Sequence, residues 1–228
     1  MPKAVVLLSG GLDSSTVLAM SLQQGYDVVA LTFDYGQKHR RELESASSIA
    51  THFKVGEHVV MKMDFAGRLK SALTDQSMDM PQDRTVSEIG AGIPSTYVPS
   101  RNLIFLSVAS SVAEDVGAEA IFIAANSVDF SGYPDCTPEF IEAFQRVLDI
   151  GTKAGREGKP VKVLAPIIRY SKADIVREAM RLGVPLEKTW SCYRGGSKAC
   201  GKCDSCILRL KGFCEAGIED PIEYEVIG

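Results

Sequence analysis

No run of apolar residues in this sequence approaches the roughly 18 needed to cross a bilayer. No secretory leader is expected, since the opening MPKAVVLL is too short for one and runs straight into a glycine-bearing loop. A cytoplasmic, reducing setting is therefore expected, where the six cysteines would not form a disulfide framework. Basic excess is absent as well. Twenty-five Lys and Arg against 29 Asp and Glu leave a net charge of −4. Proteins that grip nucleic-acid phosphates usually carry the opposite sign, so no nucleic-acid partner and no membrane are expected. There are no internal repeats and no low-complexity tract. What remains is ordinary globular material, 228 residues at 45% hydrophobic and 24% charged, with ample core for one or two domains.

The apolar pattern alternates strand with helix. KAVVLL (3–8) is a continuous apolar run suited to a buried parallel strand, and a helix follows over 13–24. Further strands are expected at 27–35, 57–63, 119–125 and 161–166. Helices are expected at 41–53, 102–117, 138–155 and 170–183, the last opening on a Ser171/Asp174 capping box and ending at Gly183. Between Asp64 and Ser100 regularity lapses into a Pro-, Gly- and Ser-rich stretch, the composition of a lid or binding loop. Such βα repetition predicts an α/β fold with a doubly wound, mostly parallel sheet over 1–189. A small C-terminal zinc-binding segment over 190–228 is expected to pack on the same domain.

The first strand stops at Ser9-Gly10-Gly11. A loop from a strand's carboxyl end into a helix N-terminus aims free backbone N–H groups at one point, and the helix dipole adds positive potential. The spelling is not a Walker A loop, which needs a lysine, nor a dinucleotide fingerprint, which needs a third glycine. Two adjacent glycines with hydroxyls at Ser9, Ser14 and Ser15 make a cradle suited to a pyrophosphate.

Ligands in open α/β sheets sit where the strand order reverses. With the first strand central, the strand at 119–125 becomes its outer neighbour, and the loop after it should face the glycine loop. That loop, NSVDFSGYPDC, interleaves acids with aromatic rings. A carboxylate can accept two parallel hydrogen bonds from a 2-amino-4-oxo pyrimidine ring, on which an aromatic can stack.

Near the C-terminus, Cys192, Cys200, Cys203 and Cys206 have the spacing C-x7-C-x2-C-x2-C. Four thiolates suit a soft tetrahedral metal, zinc by default and an iron–sulfur cluster as the rival. Four protein ligands fill a zinc site, which makes it structural. Gly195, Gly196 and Gly201 let the loop wrap the ion, and Cys214 is expected in the core. With the phosphate loop elsewhere in the chain, loss of the metal is expected to leave binding at that loop intact.

The S-G-G-x-D-S spelling resembles that of the PP-loop ATP pyrophosphatases, which cleave ATP between its α and β phosphates. SGGLDSSTVL, FDYGQKHR, TYVPSRNLIFLSVAS, DFSGYPDC and the four-cysteine tail follow in order. Together they resemble the QueC family of 7-cyano-7-deazaguanine synthases, from Lys3 to about Cys214. The chain departs from that pattern at Ser100, where glycine is expected.

The resemblance implies an adenine nucleotide alpha hydrolase-like fold and a carbon–nitrogen ligase that uses 7-carboxy-7-deazaguanine, ATP with Mg²⁺, and ammonia, in queuosine biosynthesis. It implies ATP binding by Leu8, Ser9, Gly10, Gly11, Leu12, Asp13, Ser14, Ser15, Thr16, Val17 and Leu18. Asp13, Arg101 and Lys172 would be catalytic. Gln37, His39, Asp129, Phe130, Tyr133 and Asp135 would bind the deazaguanine, and one structural zinc would sit on Cys192, Cys200, Cys203 and Cys206. A homodimer is expected. The rival readings are a PP-loop tRNA thiolase and a non-catalytic zinc-ribbon module.

Overall fold

The computed structural model describes residues 1–38, 40–66, 68–128 and 132–225. Strand β1 (Lys3–Leu7) occupies the centre of a five-stranded parallel sheet of order β3-β2-β1-β4-β5. It pairs with β2 (Asp27–Asp34) and β4 (Ala120–Phe122), while β3 (Glu57–Lys62) pairs with β2 and β5 (Lys162–Leu164) with β4. The unbroken apolar run of β1 follows from burial of both faces. Ala4 and Val6 join one core, Val5 and Leu7 the other.

Helices α1 (Leu12–Gln23) and α2 (Arg41–His52) cover the first face. A single capped turn, α3 (Val86–Ile89), lies in the long irregular segment. Helix α4 (Arg101–Val116) and helix α5 (Pro138–Gly151) cover the second face, and a short α6 (Lys153–Arg156) follows. Helices α7 (Lys172–Arg181) and α8 (Asp204–Ala216) return to the first face. Val17 and Leu18 of α1 are fully buried there, worth about 1.5–3 kcal/mol each. The sheet is thus doubly wound, and its order reverses between β1 and β4.

The capping box at α7 forms as spelled: Ser171 Oγ accepts from the Asp174 N–H, while Asp174 accepts from the Ser171 N–H. The helix expected over 138–155 is broken. Thr152 is extended (φ −114°, ψ 160°), and its hydroxyl donates to the Leu148 carbonyl while accepting from the Gly155 N–H. One side chain closes α5 and opens α6, and a helical periodicity reading cannot see such a break. β4 and β5 are also shorter than the apolar runs that announced them.

The segment 64–100 is ordered by polar stitching. Ala72 N–H donates to the Ser95 carbonyl at 2.8 Å, and Lys38 N–H donates to the Leu73 carbonyl at 3.0 Å. Further on, Gln82 bridges to Cys203, the Asp83 N–H donates to the Lys202 carbonyl, and Arg84 pairs with the buried Asp204. Cys214, expected in the core, is exposed, because it lies on the outer side of α8.

Candidate functional site

A cavity of about 280 Å³ opens at the carboxyl ends of β1, β2 and β4, at the point where the strand order reverses. It lies near the lower end of the roughly 300–1,000 Å³ typical of small-molecule sites. One wall is the glycine loop. Ser9 Oγ and Ser14 Oγ lie 3.0 Å apart, and the Ser9 N–H donates to Ser14 Oγ. Gly11 stands at the N-cap of α1 with no side chain capping the helix. The first-turn N–H groups therefore have no side-chain acceptor, and they face the cavity with the helix dipole behind them. That is the arrangement an oxyanion fits.

The two glycines serve different ends. Gly10 has φ +79°, and a Cβ there would come within 2.4 Å of the Ala46 nitrogen and 2.5 Å of the Glu42 carbonyl oxygen. Its lack of a side chain is demanded by the packing of α2. A Cβ on Gly11 would meet nothing closer than 3.5 Å, so the protein itself does not require that glycine.

Leu8, Ser9, Gly11, Leu12, Asp13 and Ser14 line the cavity. Gly10, Ser15, Thr16, Val17 and Leu18 do not. Thr16 donates to the Leu12 carbonyl, Val17 and Leu18 are core, and the buried Ser15 Oγ has no hydrogen-bond partner among the described residues. Lys172 reaches in from the start of α7 and donates to both Asp13 carboxylate oxygens, at 2.9 and 2.7 Å. Its stem is held by α8, where a Cβ on Gly212 would fall 2.4 Å from Lys172 Cγ.

At the far end stands Arg101, the first residue of α4, ringed by Tyr35, Tyr133, Tyr193 and Cys136. Burial holds all three phenols above their ordinary range and pushes the Cys136 thiol up to about 11. At neutral pH these four groups are uncharged, so the described residues that ring the Arg101 cation are neutral, and the Glu42 carboxylate acts on the cluster from beside Tyr35. A desolvated cation without a neutralising anion is costly, and the site is prepared for an anionic ligand. Phe33 and Phe105 stack beside it with centroids 4.0 Å apart.

Two expected base-binding residues do not line this cavity. Gln37 is buried and structural: its Oε1 accepts from the Tyr35 N–H at 2.8 Å, and its Nε2 donates to Glu42 at 2.7 Å. Asp135 is buried, with its carboxylate accepting from the Asn102 N–H at the first turn of α4, where it complements the helix dipole. Tyr133 does line the cavity and shares a 2.7 Å hydrogen bond with Thr96. His39, Asp129 and Phe130 lie outside the described residues.

Glu42 is a cavity carboxylate that sequence reasoning passed over. So are Trp190, Ser191, Tyr193 and Arg209, which reach the cavity from the C-terminal segment. The one signal for the first three was their adjacency to Cys192. The 64–100 segment, expected as a lid or binding loop, supplies none of the described lining residues. It buttresses the loop before α5 through Thr96 and through close approach of the Gly92 carbonyl to Gly132.

Cys192, Cys200, Cys203 and Cys206 are buried, with all four sulfurs within 4.8 Å of one another. The N–H groups of Arg194 and Cys200 point at Cys192 Sγ, and those of Lys202 and Cys203 at Cys200 Sγ, at 3.3–3.5 Å. Gly195 and Gly201 adopt positive φ to aim this backbone. Hydrogen bonds from the Cys203 and Cys206 thiols hold the Cys192 thiol far below its ordinary value. A sulfur set of this kind, with N–H donors around it, fits a metal ion such as zinc. It is also not separate from the glycine loop. The Trp190 N–H donates to the Gly10 carbonyl at 2.9 Å, and Arg41 of α2 stacks over the Trp190 ring at 3.8 Å. The metal site and the phosphate loop, far apart in the chain, are thus in contact in the fold.

The comparisons with known proteins agree in one direction. The family model described as queuosine biosynthesis protein QueC matches residues 3–217. A 7-cyano-7-deazaguanine synthase of Acetivibrio thermocellus is 57% identical over 224 residues, 98% of each chain. One from Thermoplasma acidophilum is 55% identical over 98% of this chain and 92% of its own. Matched along almost its whole length by the family model and at this identity by such relatives, the chain belongs to the QueC family of queuosine biosynthesis proteins.

Proposed function

We propose that this chain is a cytoplasmic carbon–nitrogen ligase that makes 7-cyano-7-deazaguanine from 7-carboxy-7-deazaguanine, ammonia and ATP. The observation that carries this reading is the joining, in one cavity, of an uncapped glycine-loop helix with a buried arginine among neutral aromatics. The first end suits a pyrophosphate, the second a flat anionic heterocycle. In the first half-reaction a carboxylate oxygen of the substrate attacks the α-phosphorus and pyrophosphate leaves. Ammonia then displaces AMP to give the amide. In the second, the amide oxygen attacks the α-phosphorus of another ATP and pyrophosphate again leaves. Departure of AMP with loss of two N–H protons leaves the nitrile.

The loop N–H groups, with the Ser9 and Ser14 hydroxyls, hold the phosphates. Lys172 stabilises charge on the leaving pyrophosphate, where fixed donors contribute most, while Arg101, at the far end of the cavity, holds the carboxylate of the deazaguanine. Asp13 orients Lys172 and would be a carboxylate ligand of Mg²⁺, which would offset phosphate charge. Tyr133, with Asp129 and Phe130 of the same loop, reads the deazaguanine. The four cysteines would hold a structural zinc. The thiolase alternative gains nothing here, because a Cys136 thiol pushed up to about 11 is not a ready sulfur nucleophile.

Purified protein incubated with the carboxylate, ATP and ammonium should yield the nitrile by mass spectrometry, with two AMP per nitrile. AMP release without the nitrile would overturn the substrate assignment.

A further inference from the structure

Trp190 and Ser191 lie against the phosphate loop at the edge of the cavity, and one buried arginine holds the stretch that carries them. Arg209, 2% exposed, spends all five N–H donors. Nε and Nη2 clamp the Asp220 carboxylate at 2.7 and 2.9 Å, Nη2 also reaches the Leu186 carbonyl, and Nη1 donates to Thr189 Oγ1 and to Ser191 Oγ. Tyr224 closes the network by donating to Asp220 at 2.6 Å. Its charge neutralised by Asp220, Arg209 cannot act as a free cation on a ligand. It can orient what it touches.

Ser191 is the group so oriented. Its oxygen accepts from the guanidinium, which directs the hydroxyl proton elsewhere, and among the described residues it donates to no protein acceptor. The oxygen lies 3.9 Å from the place a Gly11 Cβ would occupy. Ser191 lines the same cavity as Ser9 and Ser14. A hydroxyl that accepts from a cation is a strengthened donor, and its oxygen borders the space left by Gly11. We infer that Ser191, set by Arg209, is a further phosphate-binding residue, donating to the pyrophosphate portion of ATP from the C-terminal segment that lies against the glycine loop. This rests on the ligase reading above. It gives the C-terminal segment a direct part in nucleotide binding, with Arg209 as a positioning residue.

Calorimetric titration of the full chain with Mg-ATP, Mg-pyrophosphate and AMP tests it. Ser191→Ala should weaken ATP and pyrophosphate about tenfold or more, the scale of one hydrogen bond to a charged group. AMP affinity should stay within twofold, and metal content and melting temperature should not change. Ser191→Thr, which keeps the hydroxyl, should restore most of the affinity. Arg209→Lys, or Asp220→Asn where lysine is not tolerated, should weaken pyrophosphate in the wild-type background and have little further effect in Ser191→Ala. Wild type that binds neither ATP nor pyrophosphate overturns the ligase reading and this inference with it. Wild type that binds both, with Ser191→Ala unchanged, overturns the inference alone. An equal loss from Arg209→Lys in both backgrounds removes Arg209 from the role.

Discussion

Ser100 sits in the left-handed region, φ 55° and ψ 24°, immediately before α4. Its N–H donates to the Tyr97 hydroxyl, and its own side chain does not cap the helix. Glycine is expected at this position for a backbone reason, since an L-residue there costs about 1–2 kcal/mol. Ser100→Gly should therefore raise stability by about 0.5–1 kcal/mol after glycine's own entropy cost, read as a melting temperature higher by a few degrees. The adjacent loop glycines make a sharper pair. Gly10→Ala must push α2 backbone aside from a positive φ and should cost about 2 kcal/mol or more of stability. Gly11→Ala meets only ordinary contacts and should change stability by no more than about 0.5 kcal/mol, yet lose ATP binding. A Gly11→Ala protein that keeps wild-type ATP affinity would remove the phosphate from this loop. Cys136 supplies the pH test. Its folded value of about 11 exceeds the ordinary 9.0, so the stability tied to its neutral thiol is complete below about pH 9 and is lost as pH rises through 11. At pH 9, alkylation mapped by mass spectrometry should label exposed Cys214 well ahead of Cys136.

The element that most needs explanation is α8. It begins at the last pair of cysteines and packs along α7. Gly212 lets the two helices touch, since a side chain there would strike Lys172 at Cβ and Cγ. In isolation, Gly→Ala inside a helix gains about 1 kcal/mol. Here Gly212→Ala should instead displace Lys172 from Asp13 and cut AMP formation at least tenfold, as Lys172→Ala should. A more stable, fully active Gly212→Ala would show that α8 does not position the lysine. The start of α7 was legible because a capping box is local: Ser171 and Asp174 satisfy each other whatever surrounds them. The break at Thr152 was not, because the periodicity of α5 continues through it. The clash that forbids a side chain at Gly155 is with the Leu148 carbonyl, 2.3 Å from where its Cβ would lie.

Across the whole molecule, the C-terminal segment closes the site that the N-terminal strand opens. Trp190, Ser191, Tyr193 and Arg209 line the cavity beside Ser9 and Asp13. Cys203→Ser should leave substoichiometric metal and a lower melting temperature. It should also weaken ATP binding in whatever fraction stays folded, because the backbone that hydrogen-bonds Gly10 hangs from Cys192. Metal analysis, melting and ATP titration on one preparation check this. Full ATP affinity in a folded, metal-poor protein would show the two parts to be independent after all.

The sequence by itself determined the alternation of strands and helices, the central place of β1, the glycine loop and the four-cysteine cluster. Each is written in short-range order: an apolar run, a turn that only glycine allows, a cap, thiols a few residues apart. Tertiary structure alone decided which side chains share the cavity. Gln37 and Asp135 read as ligand-binding residues from their motifs, but buried backbone N–H groups of Tyr35 and Asn102 needed acceptors, and these two side chains met that need. Glu42, Ser191 and Arg209 carry no motif that marks them. They face the site because α2 abuts Gly10 and because the chain, after more than 180 residues, returns to lay Trp190 against the loop where it began.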